Sequence, residues 1–425
     1  MRDDVDLYDL NQWLSFLELR HTNVIQLGLE RVTHVADTLN ILTFDCPIIL
    51  VAGTNGKGST VAMLEAIYTR CGYQVGAYTS PHLLQFNERI RVNGQMVDDD
   101  SLCRAFLAIE QARGDVDLTY FEVATLAALL LFKRDLDIII LEVGMGGRLD
   151  ATNIVSPSLS IITGIDWDHQ AYLGDTLEAI AFEKAGIIRY NIPVIFADTT
   201  RFKAIIDKAS AEDASLWALG DGYHFDCLDD NRFIMTYGDG RQVTYPKPHL
   251  NLKAATAALM AVSYLQAQLP VDEATIDAAL QSVTHPGRLQ WLNTKIPTLL
   301  DVAHNPQSVS NLANYLKNVP CKGKIYAIFG VLADKDIKPM LESISDVIDV
   351  WLLVDLPKPR GMKASALRNY FEGLDACIEG EYATALDAYE SLQTMADARD
   401  IIVIFGSFLT VANYLMGKSD EVVYR

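Results

Sequence analysis

Residues 52–60 read AGTNGKGST, which sets Lys57 between Gly56 and Gly58 with Ser59 and Thr60 just behind it. Glycines let a backbone turn tightly and aim its amides inward, and a helix starting there adds partial positive charge, so the stretch is built to cradle a phosphate. Lys57 would reach the terminal phosphates, and Ser59 or Thr60 a phosphate oxygen or Mg²⁺. The usual phosphate-loop pattern reserves an earlier position for another glycine, and here that position is Val51, so the loop is a shortened one. Glu142, in LEVGMGGRLDATN (141–153), is placed to hold Mg²⁺ against those phosphates, or else to cap a turn or pair with Arg148. In DWDHQAYLGDTLEAIAFEKAGII (166–188), Asp168 precedes His169, a metal ligand or a structural imidazole. Lys184 lies in the apolar run IAFEKAGII of that segment. A lysine there must find an anion, lose its proton or be modified, unless it reaches outward from a solvated helical face. Glu122, in TYFEVAT (119–125), needs a partner if buried, and Thr119 and Tyr120 beside it suit a pocket for a flat ring.

These residues need strands to position them, and the pattern supplies them. Apolar runs at 47–53, 74–80, 136–144, 159–166 and 193–198 do not alternate in polarity, which is how strands covered on both faces of a parallel sheet read. Helical stretches separate them, such as 58–71 ended by Gly72. A second set at 297–304, 324–332, 347–356 and 400–408 follows THPGRLQW (284–291). Between the sets lies a polar, turn-rich segment, about 215–250, in which YGDGR reads as a hairpin. The expected fold class is α/β: a larger N-terminal phosphate-loop ATPase domain with a mostly parallel sheet, 1–287, and a smaller Rossmann-like α/β domain, 288–425.

Composition bounds the partners. With 425 residues and a formal net charge of −20, and no run of Lys and Arg, the chain has no footprint for nucleic acid or an anionic membrane. Six cysteines without paired spacing read as reduced thiols in a cytoplasmic protein. The acidic, amphipathic start MRDDVDLYDLNQWLSFLELR is neither signal nor transit peptide, and the most apolar stretch, 123–143, is broken by Lys133, Arg134, Asp135 and Asp137.

GTNGKGST, TSPHL (79–83), TYFE, LEVGMGGRLDATN, DHQAYLGDTLEAIAFEKAGI, HPGR (285–288) and DVAHNP (301–306) occur in one order along the chain. In that order they resemble the folylpolyglutamate synthases and bifunctional dihydrofolate synthases of bacteria, members of the Mur-ligase group of ATP-dependent amide-forming ligases. The resemblance runs from IQLGLERV (25–32) to FGSFLTVA (405–412).

The resemblance implies ATP and two Mg²⁺ ions as cofactors, and dihydropteroate, reduced folates and L-glutamate as the small-molecule partners; a monomer is the expected state. By it, Thr54, Asn55, Gly56, Lys57, Gly58 and Ser59 wrap the ATP phosphates, and Arg288 and Asp301 complete the ATP site. Ser80 and Glu142 hold one metal, and His169 with a carbamylated Lys184 the second. Gln26, Leu27 and Gly28, then Thr119, Tyr120, Phe121 and Glu122, then Leu149, Asp150 and Ala151 bind the pteroate or folate. Lys57, Lys184, His169 and His304 are the implied catalytic residues, His304 as proton acceptor or glutamate-orienting group. The sequence departs from the family at Lys253, where an adenine-side asparagine is usual, and at Gln26, where some bifunctional members carry an acid. A Mur-type ligase of a peptidoglycan precursor would share the phosphate loop and the lysine without needing IQLGLERV or TYFE. A folylpolyglutamate synthase lacking the dihydrofolate synthase activity, or a nucleotide-gated binding module, would carry the same phosphate loop.

Overall fold

The structure is a computed structural model that describes residues 8–20 and 26–418. The first seven residues of the acidic N-terminal segment and Ile25 of IQLGLERV lie outside the described residues. The chain divides into two compact units, 1–283 and 284–425, each built on its own sheet.

The first unit carries eight strands: β1 (Ile48–Ala52), β2 (Val75–Tyr78), β3 (Ile90–Val92), β4 (Gln95–Met96), β5 (Ile138–Glu142), β6 (Leu159–Ile162), β7 (Val194–Phe196) and β8 (Leu216–Ala218). Their order is β4-β3-β2-β5-β1-β6-β7-β8, parallel from β2 through β8, with β3 and β4 antiparallel at one edge. The central strands are buried along their whole length because both faces are covered. Leu50 and Ala52 of β1 enter one apolar core, and Ile49 and Val51 enter the other. That two-sided burial is the cause of the uninterrupted apolar runs in the sequence. Helix Lys57–Arg70 crosses one face and ends where Gly72 turns left-handed at φ +94°, its amide bonded to the Thr69 carbonyl. A separate antiparallel sheet of β9 (His224–Cys227), β10 (Arg232–Thr236) and β11 (Gln242–Pro246) contains the YGDGR turn, closed between Thr236 and Gln242.

The second unit has the order β12-β13-β17-β14-β15-β16, with β12 (Gln290–Leu292), β13 (Thr298–Leu300), β14 (Ile325–Phe329), β15 (Val350–Val354), β16 (Ile378–Tyr382) and β17 (Ile401–Phe405). All pairs are parallel except β12 with β13. Among the described residues no helix is long and apolar enough to cross a membrane, and all six cysteines are free thiols.

In each unit the order of strands, more than their number, determines where chemistry can occur. β2, β5, β1 and β6 are consecutive neighbours, and at or just past their carboxyl ends lie Ser80, Glu142, the phosphate loop and Asp166–His169 respectively. In the second unit β13, β17 and β14 are neighbours, and they release Asp301–Asn305, Gly406–Phe408 and Gly330 along one edge. Open parallel sheets gather ligands at such an edge.

Candidate active site

The phosphate loop is held from below by β6. Thr54 donates its amide to the Gly164 carbonyl at 2.8 Å, and Thr163 donates its hydroxyl to the Asn55 carbonyl at 2.7 Å. Gly53 is required by that approach: at φ +144° an added Cβ would stand 1.9 Å from Thr163 Oγ1. Gly56, at φ +90°, starts helix Lys57–Arg70 with no side chain capping it, which leaves the first-turn amides of a positive helix end available to an anion. Lys57 Nζ donates to the carbonyls of Gly53 and Thr54 at 3.0 and 3.2 Å. Ser59 is buried beside it. An uncapped helix start, left-handed glycines and a loop-spanning lysine suit a triphosphate. Gly53→Ala is expected to weaken ADP binding by about fivefold or more, since the strain alone is about 1–3 kcal/mol. Titration calorimetry with ADP checks it, and unchanged affinity would remove the loop from the site.

On the far side of β1 the amide of Ser80 donates to Glu142 Oε2 at 3.2 Å, so the two oxygen-bearing residues meet at the ends of β2 and β5. The segment is tied to the phosphate-loop helix by Arg91, whose guanidinium forks onto Glu65 and donates to the Thr79 hydroxyl at 2.9 Å. Among the described residues no group of three or more His, Cys, Asp or Glu side chains is arranged to hold a metal. Oxygen donors from Ser80 and Glu142 nevertheless fit Mg²⁺, which takes one or two carboxylates and fills its shell with phosphate oxygens and water.

Lys184 closes the third side. It is 3% exposed on helix Leu177–Ala185. The turn after β5 packs directly on it, since a Cβ on Gly147 would meet the carbonyls of Glu183 and Lys184 at 3.0 and 3.1 Å. Its amine is pushed down to about 7, first by burial and then by the positive charge of Lys57, against the smaller pull of Asp168 and Asp150. Near neutrality a large share of this amine is therefore uncharged, the form that adds CO₂. His169 sits at φ +51°, a left-handed backbone that a non-glycine residue rarely adopts, with Asp168 Oδ2 3.7 Å from its Nε2.

The three blocks proposed for the pteroate converge. Thr119 and Glu122 form a reciprocal capping box at the start of helix Tyr120–Leu131, with bonds of 2.7 and 3.1 Å. Glu122 also accepts from Arg31 Nη2 at 3.0 Å, and that same nitrogen bonds the Gln26 carbonyl at 3.0 Å. Arg31 thus ties Gln26, Leu27 and Gly28 to the TYFE helix. The buried Glu122 has a structural partner, which the residues alone left undecided. Phe121 reaches the turn that leads into the third block: a Cβ on Gly144 would stand 2.4 Å from its ring. Asp150 is buried, and its carboxylate accepts from the amides of Met145 and Thr152 at 2.8 and 3.0 Å and from the Thr152 hydroxyl at 2.6 Å. It shapes the turn that presents the half-exposed Leu149 and the buried Ala151. Lys253 pairs with Asp198 at 3.5 Å, and the next residue, Ala254, packs toward Gly56.

In the second unit Asp301 accepts the amides of Leu289 and Ala303 at 2.9 and 2.8 Å. It thereby fixes a turn in which Leu289 has φ +42° and from which Arg288 extends. Arg288 lies 5.1 Å from the Phe408 ring centroid, and the His304 ring lies 6.0 Å from the same ring. His304 Nδ1 is 2.8 Å from the Val302 carbonyl, which can only accept, so Nδ1 carries a proton. Arg31, Glu65, Arg91 and Phe408 were not singled out from sequence. Arg31 and Phe408 lie inside blocks quoted for the resemblance, but only their long-range contacts give them a role.

Residues 51–258 match the Mur ligase middle domain and residues 287–408 the Mur ligase, glutamate ligase domain. The chain is 39% identical over 409 residues to the dihydrofolate synthase/folylpolyglutamate synthase of Escherichia coli K12, covering 96% of this chain and 94% of that protein. It superposes on E. coli FolC in complex with DHPP and ADP with a TM-score of 0.92 at 38% identity, covering 97% of this chain and 98% of that one. It superposes equally broadly, with a TM-score of 0.90 at 38% identity, on a bifunctional folylpolyglutamate synthase/dihydrofolate synthase with Mn, AMPPNP and L-glutamate bound.

Proposed function

The chain belongs to the dihydrofolate synthase/folylpolyglutamate synthase family of Mur ligases, and from that premise we propose that it joins L-glutamate to dihydropteroate and to reduced folates at the expense of ATP. The observation that carries this is the alignment of four neighbouring strand ends, which set a phosphate loop, a Ser80–Glu142 pair and the Asp166–His169 loop along one edge of the sheet, with the buried Lys184, its amine lowered to about 7, on the helix that follows. A carboxylate is a poor acyl donor because oxide would have to leave. Transfer of the γ-phosphoryl group to that carboxylate gives an acyl phosphate, the glutamate amine attacks its carbonyl, and phosphate departs. Such transfer rests on positioning and charge neutralisation. The uncapped amides at the start of helix Lys57–Arg70 and the Lys57 ammonium supply both.

Mg²⁺, held by Ser80 and Glu142 and at a second position by His169 and the Lys184 carbamate, would neutralise the phosphate charge. The carbamate forms when the neutral Lys184 amine adds CO₂ and releases a proton, which turns a buried potential cation into a carboxylate-like ligand. Arg31, Tyr120, Phe121 and the Leu149–Ala151 turn line the pteroate side. In the second unit, Asp301 fixes the turn from which Arg288 extends, and Arg288 and His304 both lie beside the Phe408 ring. The enzyme acts as a cytoplasmic monomer, and its net charge of −20 argues against nucleic acid or anionic membranes as partners.

The test is ADP release in the presence of ATP, Mg²⁺ and either dihydropteroate plus glutamate or a nucleotide-sugar precursor plus its amino acid. Release with the first pair alone is expected. Release with the second pair alone would turn the assignment toward a peptidoglycan-type ligase.

A further inference from the structure

Arg89 ends the short turn Phe86–Arg89 and is 8% exposed. Burying a guanidinium is costly unless an anion faces it. Its neighbour in sequence, Arg91, follows that rule through Glu65, and Arg31 follows it through Glu122. Arg89 does not: among the described residues its guanidinium forms no ion pair. Its side chain makes one hydrogen bond, Nε donating to His82 Nδ1 at 2.8 Å. An imidazole nitrogen that accepts carries no proton, so His82 orients the guanidinium without neutralising it. The remaining contacts are aromatic. The Arg89 Cζ lies 5.5 Å from the Phe86 centroid and 5.7 Å from that of Tyr120, and the two rings meet edge-on at 5.9 Å. The ring faces offset part of the desolvation and hold the plane of the fork in place. Among the described residues no hydrogen bond takes up the two terminal nitrogens.

The location gives this unspent fork a meaning. Tyr120 opens the helix in the block proposed for the pteroate. The Arg89 carbonyl accepts the Thr79 amide at 2.9 Å, one residue before Ser80. We infer that Arg89 is a carboxylate-binding residue, whose terminal nitrogens pair side by side with a carboxylate of the pteroate- or folate-class substrate while His82, Phe86 and Tyr120 hold the guanidinium in plane. This rests on the substrate reading above. A planar fork matches a carboxylate in a way an ammonium does not. It therefore orients the acid on binding and contributes to affinity ahead of any chemistry.

The experiment is equilibrium binding to the full chain without ATP, using pteroate and its carboxamide as probes, with wild type, Arg89→Gln and Arg89→Lys, each first checked by thermal unfolding. Wild type is expected to bind pteroate at least about tenfold more tightly than the carboxamide, the scale of a charge-assisted pair. Arg89→Gln should erase that preference by weakening pteroate alone, and Arg89→Lys should keep part of it. A preference retained in Arg89→Gln, or an equal loss for both probes, overturns the inference. If Arg89→Gln does not fold, Arg89→Lys decides: an undiminished preference there overturns it as well. Wild type that binds neither probe overturns the substrate reading itself, and is distinguishable because no variant is needed to see it.

Discussion

Lys184→Ala is expected to abolish amide formation, with kcat falling by at least about a thousandfold, and short carboxylates such as acetate or formate are expected to return part of it. The expectation follows from where the amine lies. At 3% exposure on a helix packed by the Gly147 turn, Lys184 is not snorkelling to solvent. With its amine lowered to about 7 it is not held as a permanent cation either. On the proposed reading alanine removes the carbamate and leaves a space near the Lys57 charge, which a small carboxylate can fill. Rescue therefore separates a missing carboxylate from a merely damaged fold. Loss without rescue, in a variant that still binds ADP, would leave the lysine essential but the carbamate unsupported, and full activity of the plain variant would contradict both.

Lys57→Met is expected to cost at least about a hundredfold in kcat, with pteroate affinity unchanged. Among the described residues its ammonium bonds two carbonyls of its own loop, at 3.0 and 3.2 Å, and those bonds are readily exchanged for phosphate oxygens. A second consequence concerns pH. The charge of Lys57 is a cause, after burial, of the lowered Lys184 amine, so its removal should raise that amine. The pH at which half of Lys184 takes up ¹³C-labelled bicarbonate, read as a carbamate carbon resonance, should then move upward. An unmoved midpoint would mean the two lysines do not share one electrostatic site. The sign for stability is also determined. Between about 7 and the ordinary lysine range the unfolded chain holds a proton that the folded, unmodified chain has released, so stability should rise with pH across that window. Lys184→Ala should lose this rise, as read by the urea midpoint.

The parts of the site legible in sequence are those whose chemistry is local. A glycine-rich turn between an apolar strand and a helix is recognisable because the loop's own atoms make the cradle. The strands at 48–52 and 138–142 were readable because burial on both faces removes polar residues altogether. The edge strands were not. Ile378–Tyr382 reads IEGEY and alternates half-buried with exposed positions, and Gln95–Met96 is exposed throughout, so neither gives an apolar run. Contacts across the chain were equally hidden. Nothing near Glu122 announces Arg31, nothing near Gly53 announces Thr163, and Phe408 looks like an ordinary helix start until Arg288 is found against its ring. Asp301 shows the limit from the other side. Its position beside the implied ATP contacts was visible, but its two bonds to backbone amides, which give it a turn-holding role, were not.

The central claim is that one site activates a pteroate or folate carboxylate with ATP and couples it to glutamate. It is tested most directly by incubating the enzyme with ATP, Mg²⁺, glutamate and either dihydropteroate or a reduced folate carrying ¹⁸O in its reactive carboxylate, and taking the masses of both products. Each acceptor is predicted to gain one glutamyl residue, with one ¹⁸O delivered to the released phosphate. Phosphate free of ¹⁸O, or ATP consumed with neither acceptor extended, would contradict it.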